Sequence, residues 1–202
     1  MSATNTTSAL RRGARSIASA PSWDLVSLSG RLVEISAQNS LASLTAAFGL
    51  VLDAQLCCEP VAWITSTRSA FFPPDAADGG VDLAALVVVR TPEARAAAQS
   101  AAELLRSGAF GLAILDLVSY SAASIPIPAQ TLLSGLAQKH DAAVVFLTEK
   151  TCDAPSVGSL VSLRAGARRG AGTDCEIEVL KDKRWGPGRR HVEVCRGPAG
   201  LR

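Results

Sequence analysis

The feature of this chain that most constrains its fold is an alternation of short apolar segments with segments of helical spacing, which runs from residue 32 to residue 147. The apolar segments have the length of strands, and the stretches between them are long enough for helices. Strands joined by such helices need right-handed crossovers, which produce a parallel sheet covered on both sides. The pattern predicts an α/β fold with about five parallel strands, at residues 32–36, 61–65, 83–89, 110–116 and 142–147.

The connecting segments carry helix signals. The helix after the first strand is predicted to bury a face of five apolar residues at spacings of three, four, three and one, which are Leu41, Leu44, Phe48, Val51 and Leu52. The tripeptide 91–93, Thr-Pro-Glu, combines a hydroxyl cap, an early proline and an acid, so a second helix is predicted from there to about Gly108. A third is predicted at 128–140, and residues 72–80 are predicted to form a loop. The apolar run 83–89 is typical of a strand buried on both faces.

The character of the chain changes after Glu149. Segments 159–164, 175–180 and 191–195 follow one another without helices and are separated by glycine-rich turns. They are predicted to be antiparallel strands that extend the sheet at its far edge. We therefore divide the chain into an N-terminal arm without fixed fold (1–22), a core (23–150), and basic C-terminal strands and tail that complete the same domain (151–202).

Composition excludes several classes of function. No apolar stretch approaches the roughly 20 residues that cross a bilayer, so no membrane partner is expected. Aromatic residues make up 4% of the chain, too few for large base-stacking platforms. The five cysteines form no CxxC pair and the two histidines stand alone, so no metal site is expected. The odd cysteine number favours reduced thiols in a cytoplasmic protein.

Charge is unevenly distributed along the chain. Residues 161–202 hold ten Lys and Arg against five acids, a net charge of +5, whereas residues 1–160 hold ten against thirteen, a net charge of −3. This asymmetry favours an anionic partner, either nucleic acid or an acidic protein surface, and the alternative is a solvated basic face. The candidate partner-binding residues are Arg164, Arg168, Arg169, Lys181, Lys183, Arg184, Trp185, Arg189 and Arg190.

Trp185 lies in the middle of these cations, within a turn rich in glycine and proline. It is a candidate anchor for a protein partner or a candidate base-stacking residue, and the alternative is that its ring packs over the sheet edge. Glu176, Glu178 and Asp182 alternate with the cations and would repel a phosphate backbone, so a protein partner is favoured over DNA. Trp23 and Trp63 are predicted to belong to the core.

The turn after the first strand is where a parallel α/β protein would hold phosphate. A phosphate loop needs two glycines, a lysine and a hydroxyl at fixed positions. Here Ala37 and Ala42 occupy the glycine positions, Ser43 the lysine position and Leu44 the hydroxyl position. No nucleotide cofactor and no catalytic residue is therefore expected.

Three segments nevertheless resemble bacterial RecA. Residues 30–35, Gly-Arg-Leu-Val-Glu-Ile, resemble its opening strand, and the phosphate-loop frame follows at the RecA spacing. Residues 61–67 resemble its second core strand, with Thr67 where the family keeps a catalytic glutamate. Residues 107–116 resemble its Walker B strand, and Asp116 matches the terminal carboxylate. The resemblance covers about residues 25–195 and implies a RecA-like core that retains only Asp116 of the ATPase set.

Such a core with a basic C-terminal extension is similar to the ImuA family, bacterial proteins induced by DNA damage that act in error-prone translesion synthesis. The resemblance implies a non-catalytic accessory protein of the SOS response that binds RecA and the polymerase-like ImuB. An error-prone replicative-type polymerase is a further candidate partner. The implied location is the bacterial cytoplasm, at the nucleoid when DNA is damaged. The alternatives are a SulA-like inhibitor of cell division and a divergent DNA-binding recombinase.

Overall fold

A computed structural model of the chain describes residues 22–38, 42–69, 73–120, 124–171 and 174–194. The predicted N-terminal arm, apart from Ser22, and the tail from Cys195 onward lie outside these residues. The described residues form one mixed sheet of eight strands. In chain order the strands are β1 (Arg31–Ala37), β2 (Val61–Ser66), β3 (Leu86–Thr91), β4 (Leu112–Asp116), β5 (Ala143–Glu149), β6 (Leu163–Arg169), β7 (Asp174–Asp182) and β8 (Arg190–Val194).

The spatial order of the strands is β3-β2-β4-β5-β1-β6-β7-β8. The pairs from β3 to β6 are all parallel, and β7 runs antiparallel to both of its neighbours. The predicted parallel core is confirmed. The prediction for the C-terminal third was wrong in one respect, because β6 joins the parallel set by pairing with β1, and only then does the chain turn back into β7.

Helices cover both faces of the sheet, as predicted. The α-helices are α1 (Leu25–Leu28), α2 (Ala42–Leu56), α3 (Pro73–Asp78), α4 (Ala94–Arg106) and α5 (Ile127–His140). One buried cluster combines α1 and α2 with their sheet face, and the second combines α4 and α5 with the opposite face. None of these helices is both long enough and apolar enough to cross a membrane.

The buried face of α2 matches the predicted one only in part, because Val51 is fully buried as predicted but other predicted residues are not. Small residues such as Ala46, Ala47 and Ala54 are fully buried, whereas Leu44, Phe48 and Leu52 are only partly buried. Leu41 lies outside the described residues. The small side chains let the helix approach the sheet closely, and the larger ones pack around the contact. The ring of Phe48 stacks on Trp63 of β2 with 4.9 Å between ring centres.

Three local predictions were wrong. Residues 83–89 begin with a 3-10 turn, Leu83–Ala85, and the strand that follows is the sheet edge, not a strand buried on both faces. Thr91 ends β3 and bonds Tyr120 Oη at 2.6 Å instead of capping α4, which has Glu93 at its N-cap. Part of the predicted loop 72–80 forms α3.

Candidate functional site

The carboxyl edge of the sheet is the first candidate site, because β1, β2 and β4 all end there. The phosphate-loop frame begins at Ala37, and its residues 39–41 lie outside the described chain. Ala42 and Ser43, which replace a glycine and the lysine, are buried, and Leu44 is partly buried against the core. Cys175 Sγ of β7 donates to the carbonyl of Ala42 at 3.4 Å. The first turn of α2 is therefore packed against the sheet.

Asp116 lies at the end of β4, which pairs with β2. Its side chain is almost entirely buried, and Oδ2 accepts a hydrogen bond from Thr65 Oγ1 at 2.8 Å. Ser119 Oγ donates to the Asp116 carbonyl at 2.8 Å and accepts from the backbone N–H of Ser66 at 3.0 Å. These contacts tie the end of β4 and the turn after it to β2.

Burial raises the pKa of Asp116 above its ordinary value, and hydrogen bonds from Thr65 and Ser119 partly oppose the rise. Thr67, at the position of the RecA glutamate, is exposed. Among the described residues no group of His, Cys, Asp and Glu could hold a metal ion. The arrangement at this edge supplies hydroxyls and one desolvated carboxyl group, a set suited to fixing strand ends in place.

The predicted C-terminal cations do not form one surface. The antiparallel register pairs Leu163 with Asp182 at one end of the β6–β7 hairpin, and Arg168 with Glu176 at the other. Five residues of strand separate the two ends, which is about 17 Å at the usual rise. Arg168 and Arg169 therefore lie near the carboxyl edge, whereas the residues after Asp182 lie near the amino edge.

The second candidate site is the connection between β7 and β8, residues 183–189, which we name the Trp185 turn. The carboxylate of Asp182 organises it. Oδ1 accepts hydrogen bonds from the backbone N–H groups of Arg184 at 2.8 Å and Trp185 at 3.3 Å. Oδ2 forms an ion pair with Arg189, which also donates to the Gly186 carbonyl at 3.1 Å. The backbone of the turn is thereby fixed from both ends.

The Trp185 turn displays apolar and cationic groups together. The Trp185 side chain is 55% exposed although its backbone is held, and Lys183 and Arg184 beside it are exposed. Lys183 Nζ donates to the Ser159 carbonyl at 2.7 Å, which ties the turn to the segment before β6. More than half of Trp185 remains accessible to a partner. The geometry is that of an anchor available to a partner.

Arg164 does not contribute to a surface, contrary to the sequence prediction. It is 4% exposed, and its guanidinium donates to the carbonyls of Thr151 at 2.7 Å and Cys152 at 3.3 Å, with a further bond to Ala154. A fourth contact reaches Ser36 Oγ of β1 at 3.4 Å. Arg164 therefore holds the loop after β5 against the sheet.

Several of the remaining cations are already paired. Arg168 binds Glu176 with Nη2 at 2.5 Å, and Arg190 lies 3.6 Å from Glu178. Lys181 lies within hydrogen-bonding distance of Ser156, and burial together with the nearby Lys183 lowers its pKa. Glu176 and Glu178 thus each offset a cation on a strand beside β7.

Sequence reasoning missed the two charged residues that β1 contributes. Arg31 is buried, and its Nη2 lies 2.6 Å from Asp182 Oδ1. Glu34 is fully buried and accepts from Thr148 Oγ1 and the Val157 N–H, both at 2.8 Å, with Lys150 Nζ at 3.1 Å. The sequence contained a signal for these two residues. A charged residue inside an apolar strand segment needs a buried partner, so both positions could have been predicted to form buried ion pairs or hydrogen bonds.

No protein-family model matches the chain, and a search of curated proteins finds no match either. Its function must therefore be inferred from the arrangement of its own residues.

Proposed function

We propose that this chain is a non-catalytic accessory protein of DNA-damage-induced translesion synthesis, which binds RecA and the polymerase-like ImuB. It acts by contact with these proteins and not by nucleotide hydrolysis. An error-prone replicative-type polymerase is a further candidate partner of the same assembly. The place of action that follows is the bacterial nucleoid after DNA damage.

The proposal that the chain does not hydrolyse nucleotide is supported by the surroundings of the residues at the ATPase positions. Ser43 is buried where a lysine would have to reach phosphate, and Ala42 accepts a hydrogen bond from β7. Asp116 is engaged by Thr65 and has a raised pKa, which disfavours the ionised form that a magnesium ligand needs. These positions support the fold and supply no phosphate chemistry.

The observation that carries the binding role is the exposed Trp185 on a turn whose backbone is fixed by Asp182. An indole on a rigid loop loses little conformational entropy when a partner covers it, which is a property of interface hot spots. Lys183 and Arg184 beside it would steer an acidic partner surface toward the turn. We therefore restrict the predicted C-terminal binding surface to the Trp185 turn.

A protein partner is favoured over DNA by the charge balance around the turn. Arg190 is paired with Glu178, and Arg189 is paired with Asp182. The exposed cations left in the described turn are Lys183 and Arg184, whereas a phosphate backbone would need a continuous row of cations.

The test is binding of the full-length chain to immobilised RecA and, separately, to ImuB. Deletion of the C-terminal strands is unsuitable, because β6 pairs with β1 inside the sheet. Trp185→Ala should speed dissociation about tenfold or more, and a Lys183→Glu, Arg184→Glu pair should slow association at low salt. Leu56→Ala is the matched control, since Leu56 is exposed at the end of α2 and should bind as the parent does.

Two results would count against the proposal. Unchanged binding of the Trp185→Ala protein to both partners would remove the turn from the interface. Binding to the tubulin-like division protein, with none to RecA or ImuB, would instead support the SulA-like alternative.

A further inference from the structure

The outer edge of β3 is an apolar strand edge that no other strand covers in the described part of the chain. β3 is hydrogen-bonded on one side by β2 and ends the sheet. Its sequence, Leu-Val-Val-Val-Arg-Thr, places Val87 and Val88 on the two faces of the strand, and both are more than one third exposed. Open apolar edges of this kind pair with further strands.

The backbone groups that face outward can be assigned. The N–H of Thr67, the residue after β2, donates to the Thr91 carbonyl at 3.1 Å, so the peptide groups of Thr91 point toward β2. Alternate residues of a strand point the same way, so Leu86, Val88 and Arg90 present their N–H and C=O groups outward. Val88 is the middle residue of these three.

The opposite edge of the sheet, formed by β8, differs from β3 in its charged residues. β8 reads Arg-His-Val-Glu-Val, and its charged residues are Arg190 and Glu193. Charges of this kind protect edge strands from pairing with other chains. β3 carries no charge before Arg90, has no proline, and pairs with β2 without a bulge.

We propose that two copies of this chain associate through antiparallel pairing of their β3 strands, about a two-fold axis at Val88. In this register Val88 of one copy lies opposite Val88 of the other, and Leu86 of each copy lies opposite Arg90 of the other. Every outward-facing backbone N–H and C=O group of these residues then has a hydrogen-bond partner. The two sheets become one continuous sheet, and the self-complementary pattern is what a two-fold interface requires.

Charge complementarity supports the second copy as the occupant. Side chains of Leu86, Val88 and Arg90 lie on the same face of the strand, the face on which Leu86 joins the α2 cluster. The register brings exposed Arg90 of one copy beside the turn that begins at exposed Asp82 of the other, where Asp82 caps Leu83–Ala85. Each dimer would hold two such opposite-charge contacts.

The first experiment is cross-linking of a Val88→Cys variant of the full-length chain under mild oxidation. Directly opposed residues in a hydrogen-bonded antiparallel pair lie about 5.5 Å apart between Cα atoms, within the range of a disulfide. A covalent dimer with an 88–88 disulfide, identified by peptide mass, is expected. Val192→Cys on β8 is the matched control and should form no such dimer, since Val192 is also exposed on an edge strand.

The second experiment measures the oligomeric state of the uncross-linked protein by sedimentation as a function of concentration. Val88→Lys sets two like charges opposite each other and should raise the dimer dissociation constant about tenfold or more, while Val192→Lys should leave it unchanged. A monomer at every concentration, a dimer that only Val192→Lys disrupts, or open-ended assembly would overturn the proposal.

Discussion

Arg31 and Asp182 join the first strand of the sheet to the last residue of β7 through an Nη2 to Oδ1 contact of 2.6 Å. Both side chains are buried, and 151 positions of sequence separate them. The same carboxylate fixes the Trp185 turn through two backbone N–H groups and Arg189. One buried anion therefore links the centre of the sheet to the candidate binding surface.

Loss of this pair should be costly. Removal of the carboxylate by Asp182→Asn leaves the buried Arg31 guanidinium without its counter-charge, which should lower the free energy of unfolding measured by urea denaturation by about 3–5 kcal/mol. Arg31→Met should cost less than Asp182→Asn, because Asp182 keeps Arg189 and two backbone N–H groups, but more than loss of an exposed ion pair. Arg168→Ala is the control, because the exposed Arg168–Glu176 pair contributes no more than about 1 kcal/mol. Equal effects of Arg31→Met and Arg168→Ala would contradict this account.

Asp182 should also make stability depend on pH. Burial alone would raise the pKa of Asp182, but hydrogen bonds from Arg31, the Arg184 N–H and Arg189 hold it below the ordinary value. The stabilisation is therefore complete above the unfolded-state pKa of about 4 and is lost as pH falls through the lower folded-state value. Unfolding free energies measured from pH 6 down to pH 2 should fall less steeply at the acid end for Asp182→Asn than for the parent.

Asp116 should make stability depend on pH in the opposite direction to Asp182. Because burial raises its folded-state pKa, the folded chain binds the proton more tightly than the unfolded chain, and stability declines as pH rises through that value. Asp116→Asn should raise the melting temperature at pH 7, since the amide oxygen can still accept from Thr65. Thr65→Val, which removes the donor and keeps the carboxyl group, should lower it. A lower melting temperature for Asp116→Asn would show that the carboxylate is needed in its charged form.

Nucleotide binding should be absent. Titration calorimetry with Mg-ATP should give no binding heat, because Ser43 replaces the phosphate-binding lysine position and is buried in the first turn of α2. RecA measured in the same buffer serves as the positive control. Micromolar ATP affinity that Asp116→Ala weakens would show that the carboxyl edge still binds nucleotide.

The sequence predicted those parts of the fold that depend on local pattern. The parallel core and α5 follow from apolar strands separated by helical spacing. The edge position of β3 could not be predicted in this way, because a run of valines reads the same at an edge as in a core. The buried alanines of α2 were not predicted, because alanine residues that permit close packing contribute little to a hydrophobic pattern.

The candidate binding surface was only partly predictable. Charge counting selected the C-terminal segment that contains the Trp185 turn but treated its cations as one group. A hairpin sends Arg168 and Lys183 to opposite ends of the sheet, and this depends on register, which composition does not contain. Arg164 is buried because its strand, β6, pairs with β1 inside the sheet. This pairing joins segments that are distant in sequence, so local pattern does not predict it.

The position of β1 between β5 and β6 has a consequence for synthesis of the chain. Its second neighbour is made about 130 residues later, as the Ser162 to Leu32 hydrogen bond illustrates. At a ribosomal rate of about 5–20 residues per second, roughly 6 to 26 seconds pass between the two. β1 is thus made long before the strand that covers its second side, and the nascent chain is a candidate client for chaperones throughout that interval.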